Sequence, residues 1–448
     1  VKQTFRSLSV ATVLSAIAVT AAVPTASAAP APEVEYAYYA PTPEVPQSVS
    51  PAGLRTYLST EQTQFDLQSF PMYGSLIGDG GDVTTFSVMM QQSNDVSPQL
   101  PGLSYAVEGI MWNSGDGFRA GGVDGVPDVT LPFTMTQRPW SIRSQSLTLG
   151  TSPQFVDLRV VKGNVGQKGA VYEVTANVNA VPLPNTAPTP STVYVRATDT
   201  LGMAQWGYGP SGFMPQWIYP HQRTRIVDKH AGSIDAYLRA TGDPMKGQGG
   251  YYYTVPLLRV DTFSIYEGGK KTAAGSGGWL LMDNVNQSYG PKAAEIVKND
   301  VTWLEFSTQL PEEGVALKIG RVHQDTVGAL PYASIVDTSS DENPNGTLTT
   351  RKWPITAISI RPVPGHVWTS PVTGLTYNLK YRVVLGSQSP GGEPSELVYT
   401  AVFPEQEVAF PNGGRAVYEG LYRVTGTLEG KKVTGQAWGE VQPAGSLS

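Results

Sequence analysis

A unit of strand, Gly-Lys-Lys turn and strand occurs twice in this chain, and it restricts the fold to one built from β-hairpins. The first copy runs Arg259-Val260, Glu267-Gly268-Gly269-Lys270-Lys271, Gly275, Trp279 and Asp283. The second runs Arg423-Val424, Glu429-Gly430-Lys431-Lys432, Gly435, Trp438 and Glu440. Each copy ends on a Trp with a carboxylate after it. The echo implies two related β units. Asp283 is the leading candidate for chemistry, and Glu440 reads as structural.

Hydrophobic alternation agrees with a β fold. Val171–Val178 and Tyr377–Val384 alternate with period two and are rich in β-formers. The 48 Gly, 36 Pro and 22 Tyr, with only 15% charged residues, fit an all-β chain with many turns. There is no Cys, so no disulfide supports the fold, and a chain of 448 residues can bury a core large enough not to need one.

The N-terminal 28 residues read as a secretory signal peptide. Lys2 and Arg6 form a basic region, Leu8 to Val23 an apolar one, and Ala26-Ser27-Ala28 a small-x-small cleavage site. The apolar run is shorter than the roughly 20 residues that a spanning helix needs. The expected product is a secreted, extracellular protein with no stable membrane insertion once the signal is removed. Val1 fits a bacterial valine-type start. The net charge is −6, and two units lower without Lys2 and Arg6, which argues against nucleic-acid and anionic-membrane partners.

Residues 29–50 are an Ala/Pro-rich leader, expected to be disordered. Ser50-Pro51 has the form of a helix start running through Leu58. From Phe70 to about Val195 short strands alternate with turns, interrupted by long loops at Asn113–Asp128 and at 182–192. Ser233–Ala240 has helical spacing. A strand pair follows, Tyr251–Ile265 and Ala273–Asp283. Beyond a connector at 290–299, eight strands lead to Val441, enough for one barrel or sandwich. The expected domains are therefore 51–291 and 299–448, with the boundary at 291–299.

Several segments carry a resemblance. In the first half they are Tyr252-Tyr253-Thr254, Arg259-Val260, and Gly278-Trp279 through Asp283 to Gly290. In the second they are Trp303, Leu310 and Gly314, Trp368 through Tyr377, Glu405-Gln406-Glu407, Tyr418-Glu419-Gly420, Gly426, Gly435 and Glu440. In order and spacing these resemble the AttH-like and carotenoid 1,2-hydratase (hydroxyneurosporene synthase) family of lipocalin-like proteins, which fungal decalin-forming pericyclases resemble too. The likeness covers residues 245–448 well and the preceding 190 loosely. It implies two lipocalin-like antiparallel barrel or sandwich domains with few short helices. It also implies a hydrophobic small-molecule substrate, such as an isoprenoid or polyene, and cofactor-free chemistry by a buried acid. Asp283 matches the acid of the hydratases' Tyr-x-Asp unit. Leu281 stands at the Tyr position, and Tyr252 and Thr254 stand at the positions of an upstream His-x-Trp unit. The family's Glu-Trp-Trp-Tyr motif is missing, with Gln64-Phe65-Asp66-Leu67 nearest to it.

Protonating an alkene requires a carboxylic acid held neutral by apolar walls, and Trp279, Leu281, Met282 and Val285 are the neighbours able to supply them. Asp283 and Asn284 read equally as strand-end residues bonding nearby amides. Tyr252 is either a hydroxyl that orients substrate or shares a proton with Asp283, or a packing residue. Tyr252, Trp279, Asn284, Trp206 and Trp217 are the candidate substrate-binding residues. Trp206 and Trp217 belong to an aromatic run that would line an apolar pocket, stack on sugar rings or pack a core. His221, His230, His323 and His366 lack metal-ligand spacing, so no metal is expected, and no other cofactor either. Asp116, Asp124 and Asp128 sit in a Gly-rich loop without the spacing of a calcium-binding EF-hand. No Gly-x-Ser-x-Gly elbow occurs.

Three functions stay open. The first is a cofactor-independent enzyme that hydrates, isomerises or cyclises a hydrophobic molecule. The second is a carrier of such a ligand, and the third a carbohydrate-binding surface protein.

Overall fold

In a computed structural model, the described residues are Leu54, Leu58, 67–93, 105–115, 117–121, 134–145, 154–182, 188–207, 213–214, 220–241, 249–288, 302–324, 328–409 and 416–444. The expected signal peptide, leader, 291–299 boundary and the three loop aspartates lie outside them. The described residues form one compact unit.

The fold is all-β and antiparallel, with two curled sheets. The first holds every strand from Leu67–Ser69 to Trp279–Ser288. Its hydrogen-bond ladder closes on itself. Thr189–Asp199 pairs with Gly249–Glu267 on one side and with Val171–Pro182 on the other, which completes a barrel. The second runs from Thr302–Leu310 to Lys431–Val441 in ten strands, with a separate hairpin formed by Val367–Thr369 and Thr376–Asn378.

Alternation assigns the faces. In Thr302–Leu310, Leu304, Phe306 and Leu310 enter the second sheet's core, where Phe306 lies 4.3 Å from the ring of Tyr399 and 5.2 Å from that of Tyr422. Glu305, Ser307 and Gln309 occupy the opposite face and are nonetheless buried. In Trp279–Ser288, Leu280 and Met282 enter the first sheet's core, while Leu281 packs with Tyr73 and Trp438. The outer faces of the two sheets therefore cover each other.

The echoed hairpins form as read. Glu267 pairs with Lys270 around Gly268 and Gly269 (φ +56° and +78°), and Leu428 with Lys431 around Glu429 and Gly430 (φ +48° and +81°). Both central residues have positive φ, the type I′ geometry that matches strand twist. Three expectations need correcting. The loop read at Asn113–Asp128 holds the strand Phe118–Gly121, and the loop read at 182–192 gives way to the strand Thr189–Asp199. The third lies in the first hairpin. Ala273–Asp283 is not one strand but two, Lys270–Gly277 and Trp279–Ser288. Gly278 breaks it at φ +113°, where a Cβ would lie 2.2 Å from the Ser75 carbonyl oxygen. A β-strand cannot pass so close to its neighbour with any side chain present.

The short helices are two in the described middle region. Ile234–Thr241 falls where the spacing predicts it, with the Ser233 hydroxyl accepting from the Ala236 amide at 3.1 Å. Pro220–His230 precedes it and is not anticipated by the strand reading. Its signals are local: Pro at the first position, and Lys229 and His230 in the last turn against the helix dipole. Leu54 and Leu58, from the Ser50-Pro51 segment, are helical and buried.

Candidate functional site between the two sheets

The site is built from three strands of the first sheet and five of the second, which meet face to face. Met72–Gly78, Gly249–Glu267 and Trp279–Ser288 bring Tyr73, Tyr252, Thr254 and Asp283 from the first sheet. Register places Thr254 opposite Asp283 and Tyr73 opposite Leu281. The second sheet contributes two cross-strand rows. One runs Tyr332, Gly320, Glu305, Glu440, Glu419, and the next Ser334, Lys318, Ser307, Trp438, Leu421.

Asp283 is fully buried and saturated with donors. Its Oδ1 accepts from the Thr254 hydroxyl, and its Oδ2 from Tyr73, from Tyr252 at 2.7 Å and from Lys318 at 3.0 Å. Lys318, only 2% exposed, also donates to Glu305 at 2.8 Å, to Ser307 at 2.6 Å and to the Tyr252 hydroxyl, over whose ring its ammonium sits at 4.2 Å. Tyr252 reaches Glu305 at 2.9 Å, and Tyr332 donates to the other Glu305 oxygen. Tyr332 gets there by crossing Gly320, where a Cβ would stand 2.5 Å from its hydroxyl.

Burial by itself would strip Lys318 of its proton, but Asp283 and Glu305 outweigh it and hold the ammonium above its ordinary range. Burial likewise pushes Glu305 upward, yet Lys318 and the two tyrosine hydroxyls bring it below the usual carboxylate range. Tyr73 and Tyr252 are driven well above the phenol value, by burial first and Asp283 second, so both keep their protons.

One lysine faces four carboxyls here. The surplus falls on Glu440 and Glu419, which stand opposite each other on neighbouring strands and are partly exposed. Trp303 donates its indole N–H to Glu440 at 3.0 Å, and Trp438 donates to Glu419 at 2.8 Å. Burial, then Glu305 and Asp283, push Glu440 up to about 7. Glu419 is held well above its usual value by burial and by Glu440. A proton therefore resides on this pair near neutral pH.

These positions sharpen the residue readings. Asp283 lies beside Tyr252, but its surroundings are polar. Leu281 and Val285 share its face, whereas Met282 points into the first barrel. Its geometry is that of an acceptor rather than of an acid kept neutral by apolar walls. Trp279 and Trp206 join Tyr252 in one apolar cluster. Trp206 is buried, its indole N–H has no acceptor among the described residues, and it presents no open face for sugar stacking. Asn284 points the other way, into the barrel of the first sheet. Trp217 lies outside the described residues. Lys318, Glu305, Tyr73 and Tyr332 were not read from the sequence. No signal marked Lys318 and Glu305, because they alternate with Leu317, Ile319, Leu304 and Phe306 and so read as the solvent-facing side of their strands.

Gln309 and Gln436 fix the two faces together. Gln309 donates to the carbonyls of Pro256 and Leu280, both at 2.7 Å, where the Gly249–Glu267 strand bulges. Gln436 donates to the Trp279 carbonyl at 2.8 Å and accepts from Ser75 at 2.6 Å. The second hairpin copy thus docks on the first.

The architecture has solved counterparts. A protein of Nitrosomonas europaea provisionally assigned as AttH superposes at TM-score 0.56 and 17% identity, over 91% of this chain and 99% of that one. The chain has the AttH fold. Kievitone hydratase from Nectria haematococca aligns at TM-score 0.49 and 11% identity, over 87% and 92% of the two chains. CghA with Sch210972 aligns at 0.44 and 14%, over 85% and 89%. No family model and no curated protein matches the chain by sequence. Among the described residues no helix is long and apolar enough to cross a membrane.

Proposed function

We propose that this chain is a secreted, cofactor-independent enzyme that hydrates, isomerises or cyclises a hydrophobic small molecule where the two sheets meet. The observation that carries this reading is the Asp283–Lys318–Glu305 network, with a proton-bearing Glu440 at its edge. Structural cores rarely bury an ammonium among carboxylates, because desolvation costs more than a well-packed apolar substitute. Perturbed titratable groups gathered in one place point to acid–base work.

Glu440 would protonate an alkene carbon. The π pair forms the new C–H bond, and the O–H pair stays on the carboxylate. The cation that develops is favoured by the anionic Asp283 and Glu305 and by the faces of Trp438 and Tyr73, whose rings stack at 5.2 Å. Attack by water gives an oxonium that loses its proton to the Glu440 carboxylate, which completes hydration. Attack by a second alkene gives a ring cation that loses a proton to the same carboxylate, which completes cyclisation. Direct proton loss to it moves the double bond, an isomerisation. Asp283 serves as the anchor that orients Tyr252 and Lys318.

Native mass spectrometry and solvent extraction of the protein from its own host would test this. A polyene or terpenoid that the protein converts supports the enzyme. The same ligand bound but never converted would make the protein a carrier, and sugar binding with no lipophilic ligand would overturn both readings.

A further inference from the structure

The separate hairpin, Val367–Thr369 with Thr376–Asn378, takes part in no network described above. Among the described residues four large apolar side chains are exposed, and three of them stand on this hairpin: Val367, Val372 and Leu375. Val372 is the most open, at 60%. Alternation gives the hairpin two faces. Trp368 and Tyr377 pack inward on the second sheet's core, their rings stacked at 6.0 Å. Val367 lies on the outer face, and Val372 and Leu375 lie in the turn beyond it.

The turn is tied down from beneath. Glu407 is buried and accepts from the hydroxyls of Ser370, of Thr373 at 2.5 Å and of Tyr377 at 2.8 Å. The Ser370 oxygen accepts in turn from the amides of Val372 at 3.1 Å and Thr373 at 3.2 Å. One carboxylate thus fixes the turn while its apolar side chains face water. A fixed apolar tip of this kind marks a contact surface.

Charge decides what the tip contacts. No Asp or Glu occurs between Glu342 and Glu393, whereas Arg361, Lys380 and Arg382 fall in that stretch. They stand at the hairpin's base, where the Val363 amide donates to the Lys380 carbonyl at 2.9 Å and Arg361 pairs across strands with Arg382. Glu396 takes Arg382, at 2.7 and 2.6 Å, and Arg361 stays exposed beside it. The exposed Glu405 lies toward the first sheet, where its carbonyl accepts from Asn113 at 3.4 Å. The net charge of −6 averages over the whole chain. At physiological salt a surface charge acts over only about 8 Å, so the local basic excess governs the contact. Size matters too. A stable protein interface takes about 20–30 residues a side, far more than one hairpin tip supplies.

We propose that this hairpin docks the protein reversibly on a membrane surface rich in anionic phospholipid. Val367, Val372 and Leu375 enter the boundary between headgroups and acyl chains, while Arg361 and Lys380 meet the lipid phosphates. The contact uses no residue of the Asp283 network, so it does not rest on the proposed reaction.

The test is sedimentation of the full chain with vesicles of phosphatidylcholine alone or of phosphatidylcholine and phosphatidylglycerol in equal parts. The protein should bind the mixed vesicles at least tenfold more tightly, and added salt should weaken that binding. Val372→Ser with Leu375→Ser should lower it at least tenfold without unfolding the chain, since both side chains are already exposed. Arg361→Gln with Lys380→Gln should remove the preference for the anionic vesicles. Val161→Ser, at the fourth exposed apolar position, should leave binding within twofold. Absence of binding to the mixed vesicles would overturn the proposal, and so would binding that survives the hairpin changes. Serine changes that alter the oligomeric state and not vesicle binding would assign the tip to a second copy of the chain instead.

Discussion

The Lys318 ammonium lies 3.0 Å from Oδ2 of Asp283, and the two residues belong to different sheets. Neither charge has a water-facing alternative, since both side chains are essentially unexposed. The pair thus couples the packing of the two sheets to one electrostatic contact.

Lys318→Met should destabilise the protein by about 3–5 kcal/mol, because it leaves Asp283 and Glu305 buried without their counter-charge. Combining Asp283→Asn with Lys318→Met should recover part of that loss. Urea unfolding of the single and double variants measures the coupling, and additive losses would contradict it.

Gly320→Ala should cost about 1–3 kcal/mol by overpacking. The added methyl meets both the Leu304 carbonyl and the Tyr332 hydroxyl, so Tyr332 must leave Glu305. The same change at Gly365, where nothing lies within 4 Å of the added Cβ, tests the comparison, though its φ of +81° brings a strain of its own.

Gln309→Leu removes both donors to Pro256 and Leu280 and should cost about 1–3 kcal/mol. Hydrogen exchange should quicken at the edges where the sheets meet and change little in the Phe306 core.

Glu440 shares the pH dependence with its neighbour Glu419, which is raised in the same direction, and with Asp199 in the first sheet, which burial pushes up to about 7. The folded value of Glu440, about 7, lies above the unfolded one of about 4.3, so its contribution is fully present below pH 4.3 and is lost as pH rises through 7. Lys318 is raised from a high starting value and Glu305 is lowered from a low one, so neither titrates in that window. Glu440→Gln should reduce the fall in stability between pH 5 and 8, on the order of 1 kcal/mol or more, and leave the part due to Asp199. Chemical denaturation at the two pH values reads the difference.

Much of this was legible in the residues. Alternation and turn chemistry are local, so eight of the second sheet's ten strands and both hairpin turns could be read directly. The short Arg351–Lys352 and Glu407–Ala409 and the Val367–Asn378 hairpin were missed. The break at Gly278 could not, because its cause is the Ser75 carbonyl two hundred residues away. Asp283 was found through the hairpin echo and the resemblance, Tyr252 through the resemblance, and the structure joins them by a hydrogen bond. Lys318 and Glu305 escaped because strand parity says which face a residue takes, not what covers that face. Asn284 and Asp283 were grouped by adjacency, although neighbours on a strand point to opposite sides. Glu440 read as structural for want of a motif, and its character comes from three carboxyls that only the fold brings near it.

The most direct measurement follows deuterium in the ligand recovered from the host, incubated with enzyme in heavy water. If Glu440 delivers the proton, the wild type should place deuterium on carbon, with a rate that falls as pH rises above 7. Glu440→Gln should slow incorporation at least a hundredfold, and Asp283→Asn should do so while remaining folded. Undiminished incorporation in both variants would contradict the account.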